Sequence, residues 1–432
     1  MTSHPREGYG SRIGAGEQAA KEAGGISRRD FLRGAGAGAA ALGLGPLLSA
    51  CGSSSSTAGT TGTTGVPLPR QNNPVRWPIF SSNAAIKSNL PPEQNATLRV
   101  YNWVAYINQA VVNNFQKKYK CKVEITTFNT MSEAISKLRT GQIPFDVFFP
   151  TIDVLGPLIE EKIIRPLNHS YIPNIDQAWP DYTNPFYDQG WQYTTPYTIY
   201  TTGMSWRKDK VPENPYTMAN PWAMPWQPKY KGKVAILDDY REGLSLGLMK
   251  NGIFDLNTTS VAQLTAAKNS LIQLNQEVKV QIDNNDYTEV PSGKIWIHHA
   301  WSGDMAAAAQ YMPKGVPVEV VGYWFPPDGR GPVNNDCVSV LATAPNPVLA
   351  HLFLNYFLDL PNVLENISFN GYMQPIEGVT PARLVSEKIL PPSLTSTVVL
   401  PSYFKKGLLE LQLPTATDAT WEQDWNQFSG GL

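Results

Sequence analysis

The chain has 432 residues, with 35 Lys and Arg against 36 Asp and Glu for a formal net charge of −1; 11% are aromatic and only 16% charged. This balance has none of the basic patch or stripe that a nucleic-acid binder needs, so no nucleic-acid partner is expected. The length allows two domains of about 100–200 residues, each with a sizeable core.

The N-terminal stretch reads Ser27-Arg28-Arg29-Asp30-Phe31-Leu32-Arg33, then a Gly/Ala/Leu segment, then Leu48-Ser49-Ala50-Cys51. It resembles a twin-arginine export signal, marked by Arg28 and Arg29 and closed by a lipoprotein processing box. The apolar run, broken by Pro46, is too short and too weakly apolar to remain as a spanning helix. Residues 1–50 are therefore expected to be removed and Cys51 to be acylated, since two chains anchor stably where one is marginal. Cutting there leaves 29 basic residues against 32 acidic ones, a net charge of −3. The expected location is the periplasm or the outer face of the cytoplasmic membrane. Of the other cysteines, Cys121 and Cys337 form either a disulfide or, as their apolar, strand-like surroundings favour, two buried thiols.

Residues 51–95 run through Ser/Thr/Gly repeats into a proline-bearing stretch without periodic pattern, which predicts a flexible linker and a folded body beginning near Ala96. From there the pattern alternates. Leu98–Tyr101, Lys122–Ile125 and Asp146–Phe149 read as strands, with amphipathic helices over Asn108–Tyr119 and Met131–Arg139. A second cycle has strands at Val234–Leu237 and Trp296–Ala300. Its helices are Leu244–Lys250, stopped at Gly252, Val261–Gln276, and one after Ser302. Trp421 to Trp425 reads as an amphipathic helix packing on the second unit. Alternation at this spacing predicts α/β units with right-handed, mostly parallel sheets.

Ligands of open α/β sheets sit outside the carboxyl ends of strands. There the sequence places Trp103 and Tyr106, Thr151 and Asp153, Asp238, Asp239 and Glu242, and Trp301 with Asp304. Carboxylates accept hydrogen bonds and carry charge, while indole and phenol faces attract cations and pack on methylenes, so this mixture suits a linear organic cation such as a polyamine. Helix capping is the competing explanation for Asp153, Asp239 and Asp304, and core packing for Trp103 and Trp301.

Over nearly all of its folded part the chain resembles the spermidine/putrescine-binding proteins of polyamine ABC transporters. The matching pieces are Tyr101-Asn102-Trp103 with Tyr106, Phe145 to Thr151, Lys229-Tyr230-Lys231-Gly232-Lys233, Asp238-Asp239-Tyr240-Arg241-Glu242, Trp301-Ser302-Gly303-Asp304, Asp336 and Gly371-Tyr372. The resemblance implies a two-lobed periplasmic-binding-protein type II fold, each lobe a mixed, mostly parallel sheet flanked by helices, with the ligand cleft between lobes. By the same resemblance, Trp103, Tyr106, Trp301 and Tyr372 hold the methylene chain, Asp239, Glu242 and Asp336 the ammonium groups, and Thr151 adds a hydroxyl. Asp153 stands where the family commonly has a tyrosine, Val104 where a polar residue often follows the first tryptophan, and Asn334 near an aromatic position. The partners implied are a small-molecule polyamine and ABC permease membrane subunits, with no cofactor and a monomeric chain.

The lobes are expected over 96–203 with 336–382, and over 204–335 with 383–432, crossing near Tyr200–Gly203 and Asn334–Cys337. Other ligands of two-lobed proteins, such as another organic cation, a sugar or ferric iron, are alternatives. An enzyme reading rests on Gly243-Leu244-Ser245-Leu246-Gly247, a G-x-S-x-G pattern with His351 downstream, but Ser245 lies in helical apolar spacing and not on a strand-to-helix turn. His298 and His299 are adjacent on a strand and point to opposite faces, so they do not readily share a metal.

Overall fold

The computed structural model describes residues 66–431. Arg28, Arg29, Cys51 and the spacer up to Gly65 lie outside the described residues.

Nine strands form one mixed sheet in the order β2-β1-β3-β9-β4-β7-β5-β6, with β8 also paired to β4. One half is built on β1 (Thr97–Trp103), which pairs in parallel with β2 (Lys122–Phe128) and β3 (Val147–Phe148). Helices α1 (Gln109–Tyr119) and α2 (Met131–Thr140) make the crossovers. Each starts at a side-chain cap: Asn108 accepts from Ala110 N–H, and Thr130 from Glu133 N–H. The other half is built on β5 (Val234–Ile236), parallel to β6 (Gln281–Ile282) and β7 (Ile297–Trp301). Its helices include α3 (Tyr240–Lys250), α4 (Val261–Val278), α5 (Asp286–Ser292) and α6 (Ser302–Ala306).

Strand β4 (Thr194–Arg207) joins the halves. From Thr194 to Thr201 it pairs with β9 (Val333–Val340); from Thr202 onward it pairs with β7, and from Met204 also with β8 (Val321–Trp324). Nearly all of β4 is buried, which removes the polar alternation by which half-exposed strands are read from sequence. The chain returns between Trp324 and Val333, a few residues before the expected Asn334–Cys337.

A third passage was not anticipated. Val333 N–H donates to Leu408 O and Leu408 N–H to Gly331 O, while Leu411 N–H reaches the side chain of Asn257 beside α3. There are two apolar cores, and the first reaches across both halves, taking in Val290, Ala300, Met305 and Tyr323 beside the residues of β1 and β3; the segment Pro392–Thr397 packs on β8 and α6 of the second half. Leu384, Leu390, Leu394, Phe404 and Leu409 pack into the first core, whereas Leu413, Trp421, Trp425 and Phe428 pack into the second.

Residues 66–95 are a strap on the body and not a flexible linker. Trp77 is buried and donates its indole N–H to Tyr187 O, Val75 N–H donates to Phe186 O, and Asn83 donates to Ile164 O. Glu93 accepts from Val348 and Leu349 N–H at the start of the helix Pro347–Tyr356. Such a segment carries no periodicity because each anchor is a single long-range contact. Cys337 is buried and Cys121 half-buried, and both are free thiols. Among the described residues no helix is long and apolar enough to cross a membrane.

Candidate functional site

The parallel strands deliver their carboxyl ends to one region. Trp103 closes β1, Thr151 and Asp153 follow β3, Asp239 and Glu242 follow β5, and Trp301 closes β7. Two bonded groups result, one from each half.

In the first, Tyr106 Oη donates to Asp336 Oδ2 at 2.6 Å and lies 2.6 Å from Thr198 Oγ1. Asp336 on β9 faces Thr198 of β4 and forms an isolated bridge with Thr151. The Tyr106 ring meets Tyr197 and Tyr372 edge-on, with centroids 5.2 and 5.1 Å apart, and Tyr372 also meets Tyr200 at 5.7 Å. Trp103 packs on Phe128 at 4.5 Å, and its indole N–H is buried without a partner.

In the second, Glu242 Oε1 accepts from Trp301 Nε1 at 2.8 Å and from Thr202 Oγ1 at 2.8 Å. Asp239 caps α3, its Oδ1 accepting from Arg241 and Glu242 N–H. The capping explanation therefore holds for Asp239 locally. It does not account for Glu242, which is buried in the first turn one residue past Arg241.

Electrostatics link the groups. Burial and then the neighbouring Asp239 push Glu242 up to about 7. Burial pushes Asp336 up to about 7, with Asp153 adding to the rise against the Tyr106 bond. Asp153 is raised by burial while it bonds Thr151 and feels both Arg241 and Asp239. Asp153 is thus linked electrostatically to both groups, and Thr151 makes no capping bond to its short helix.

One oxygen on each of the two central acids is held by protein donors and the other is not. Glu242 Oε2 and Asp336 Oδ1 are buried without hydrogen-bond partners, and their residues are 3% and 4% exposed. The guanidinium of Arg241 acts on Glu242 and Asp153, but its Nη1 and Nη2 groups go to Leu411 O, Leu256 O and Asn257 Oδ1, its Nε has no partner, and it lies over the Trp421 ring. Among the described residues no ion pair engages Asp153, Asp239, Glu242 or Asp336.

Sequence reasoning missed three participants. Tyr200, raised by burial and by Asp336, Glu242 and Glu410, stands amid the acids. Glu410, on the third passage, accepts from Ser245 Oγ at 3.1 Å. Asp286 accepts from Trp301 N–H at 3.2 Å and interacts with Asp304, whose proton affinity Tyr372 lowers. Burial pushes Asp304 up to about 6, and burial and then the neighbouring Asp304 raise Asp286 as well. Glu410 carries a faint sequence signal, a lone acid inside Leu408-Leu409-Glu410-Leu411.

The hydrolase elements do not meet. Ser245 sits in the middle of α3 bonded to Glu410, while both His351 nitrogens are engaged by backbone, at Pro347 O and Asn168 N–H. His298 bonds His299 O, and burial lowers His299 to about 3. No group of His, Cys, Asp and Glu suited to a metal occurs among the described residues.

A family model described as bacterial extracellular solute-binding protein matches residues 110–391, and one for the twin-arginine translocation signal matches residues 25–45. The chain is 28% identical to the spermidine/putrescine-binding periplasmic protein 1 of Haemophilus influenzae over 61% of its own length and 71% of that protein's. It is 27% identical to the spermidine/putrescine-binding periplasmic protein of Escherichia coli over 71% and 84%. A putrescine/cadaverine-binding protein of Pseudomonas aeruginosa is 25% identical over 62% and 76%. In fold, the spermidine/putrescine ABC transporter substrate-binding protein of Streptococcus pneumoniae aligns with a TM-score of 0.63 at 22% identity, covering 78% of this chain and 99% of that one. The periplasmic-binding-protein type II architecture and the twin-arginine export route follow from these matches.

Proposed function

The chain belongs to the bacterial extracellular solute-binding proteins, and from that premise we propose that it captures a polyamine of the spermidine/putrescine type outside the cytoplasm and hands it to an ABC permease. One observation carries the reading: Glu242 and Asp336 each present a buried carboxylate oxygen with no protein donor. A buried carboxylate left half-satisfied is costly unless a cation completes it. The acids stand among Tyr106, Tyr200, Trp301 and Tyr372, whose faces suit methylenes and ammonium groups. The similar proteins named for spermidine, putrescine and cadaverine support the same ligand class.

Asp239, Glu242 and Asp336 take the ammonium groups, with Thr151 and Asp153 beside them; Trp103, Tyr106, Trp301 and Tyr372 wall the methylene chain. Each charge-assisted bond contributes about 1.5–3 kcal/mol and each cation–π contact about 0.5–2 kcal/mol before ordering costs. The lobes, divided as the β4 pairing switches between Thr201 and Thr202, close on the ligand by hinge motion, biased by its differential affinity for the closed form. The chain works as a monomer, tethered through acylated Cys51, and is a binder and not a hydrolase. Calorimetry on the exported form tests this: spermidine or putrescine gives a saturable heat, maltose and neutral amino acids none. A flat titration with every polyamine removes the proposal.

A further inference from the structure

We propose that Glu410, brought in by the third passage between the lobes, is a fifth ligand-facing carboxylate that tunes the site toward a linear amine of four positive charges over one of two. This rests on the polyamine reading above and specifies its ligand.

The passage is fixed on both sides. Glu410 N–H donates to Asn334 Oδ1 at 3.0 Å at the start of β9, and the next residue, Leu411, bonds Asn257 through its N–H and Arg241 through its carbonyl. This sets the Glu410 carboxylate against α3 at Ser245, one helical turn beyond Glu242 and on the same face. Burial, then Glu242 and Asp239, raise the proton affinity of Glu410, which Arg241 and the Ser245 bond oppose. Tyr200 feels Asp336, Glu242, Glu410 and Asp239 together, and Asp153 feels Asp239, so these four acids and Asp153 act on one another as one group of five.

Among the described residues Arg241 is the one guanidinium set against these five carboxylates, and Asp286 and Asp304 add a further acid pair beside Trp301 and Tyr372. No ion pair reaches Glu410 among the described residues. Independently of the acid count, the buried, unpartnered oxygens of Glu242 and Asp336 call for donors from a ligand. The bond from Ser245 does not require a charged acceptor, because a glutamine oxygen would accept it equally. A carboxylate here therefore exceeds what local packing needs. Burial raises the proton affinity of these acids in the absence of ligand, and the ammonium groups of a tetraamine lower it again as they move in.

The test is calorimetry of putrescine, spermidine and spermine with the full exported chain, its Glu410→Gln variant and a Ser245→Ala control. The wild type binds spermine most tightly. Glu410→Gln loses about tenfold or more in spermine affinity but under about threefold for putrescine, since only the more highly charged ligand needs the fifth acid. Ser245→Ala keeps the wild-type ranking. Tight polyamine binding with putrescine preferred, or an unchanged ranking in Glu410→Gln, overturns the inference and leaves the polyamine reading standing. The same ranking shift in Ser245→Ala assigns Glu410 to packing and overturns it too. Failure of all three amines to bind wild type removes the polyamine reading and this inference with it.

Discussion

The indole N–H of Trp301 donates to Glu242 Oε1 at 2.8 Å, so the residue that closes β7 orients the acid that opens α3. With Thr202 holding the same oxygen from β4, Glu242 is turned so that only Oε2 stays open. Trp301→Phe keeps a ring but deletes this bond. Spermidine affinity is expected to fall about tenfold, consistent with one bond to a charged group lost and a weaker ring face for the cation. An affinity within about twofold of wild type would mean that Trp301 only fills space.

Asp239 can be separated from its capping role. Asparagine caps a helix about as well as aspartate, so Asp239→Asn keeps the bonds to Arg241 and Glu242 N–H and removes the charge. We expect polyamine affinity to drop about tenfold with little change in melting temperature. Unchanged affinity would assign Asp239 to capping alone.

Binding should depend on pH with a definite sign. Glu242 and Asp336 each sit near about 7 in the unliganded protein. A carboxyl raised by folding stabilises the fold below its unfolded pKa, and that contribution is lost as pH rises through the folded value. His299 and His351, lowered by burial to about 3 and about 4, act oppositely: their contribution is lost as pH falls below the unfolded histidine value. Absolute melting temperatures mix the two trends, but the rise on adding spermidine cancels groups away from the site. That rise is expected to grow from about pH 5.5 to about pH 8, because a cation favours the ionised acids and expels their protons. A rise independent of pH over this range would place the ligand elsewhere.

Gly303 lets Tyr372 approach: a Cβ there would lie 2.3 Å from Tyr372 Cγ. Gly303→Ala must push the Tyr372 ring from its place beside Tyr106 and Asp304. Lower spermidine affinity is expected, along with a lower melting temperature, overpacking of this kind costing about 1–3 kcal/mol. Wild-type values for both in calorimetry and thermal melts would show that the ring has room to move.

The strap offers a test confined to stability. Trp77 is 2% exposed and bonds Tyr187 O. Trp77→Ala is expected to cost about 3–5 kcal/mol in denaturant unfolding, while ligand ranking stays as in wild type. A loss below about 1 kcal/mol would mean that the strap does not contribute to the folded body.

What the sequence made legible follows from periodicity. The cycles around β1 and β5 carry caps, stops and apolar spacing that survive in a single chain, and their strand ends led to Tyr106, Glu242 and Trp301. Asp336 and Tyr372 lie outside those strand ends and came through the resemblance alone. Strand β4 was expected only as a crossing at Tyr200–Gly203, its full length hidden because burial on both faces erases alternation, and the strap was missed because Trp77 and Glu93 act through isolated distant contacts. Glu410, a lone acid among leucines, was passed over for a related reason. Its meaning comes from a passage that brings residue 410 beside residues 242 and 245, a proximity no local pattern encodes.

The most direct measurement is calorimetric titration of spermidine into wild type and the double variant Glu242→Gln, Asp336→Asn. Both substitutions keep an acceptor for Trp301, Thr202 and Tyr106 and remove only charge. The account predicts micromolar or tighter binding to wild type and a loss of about a hundredfold or more in the double variant, from two bonds to charged groups. Equal affinity in both proteins, with the fold intact, would contradict it.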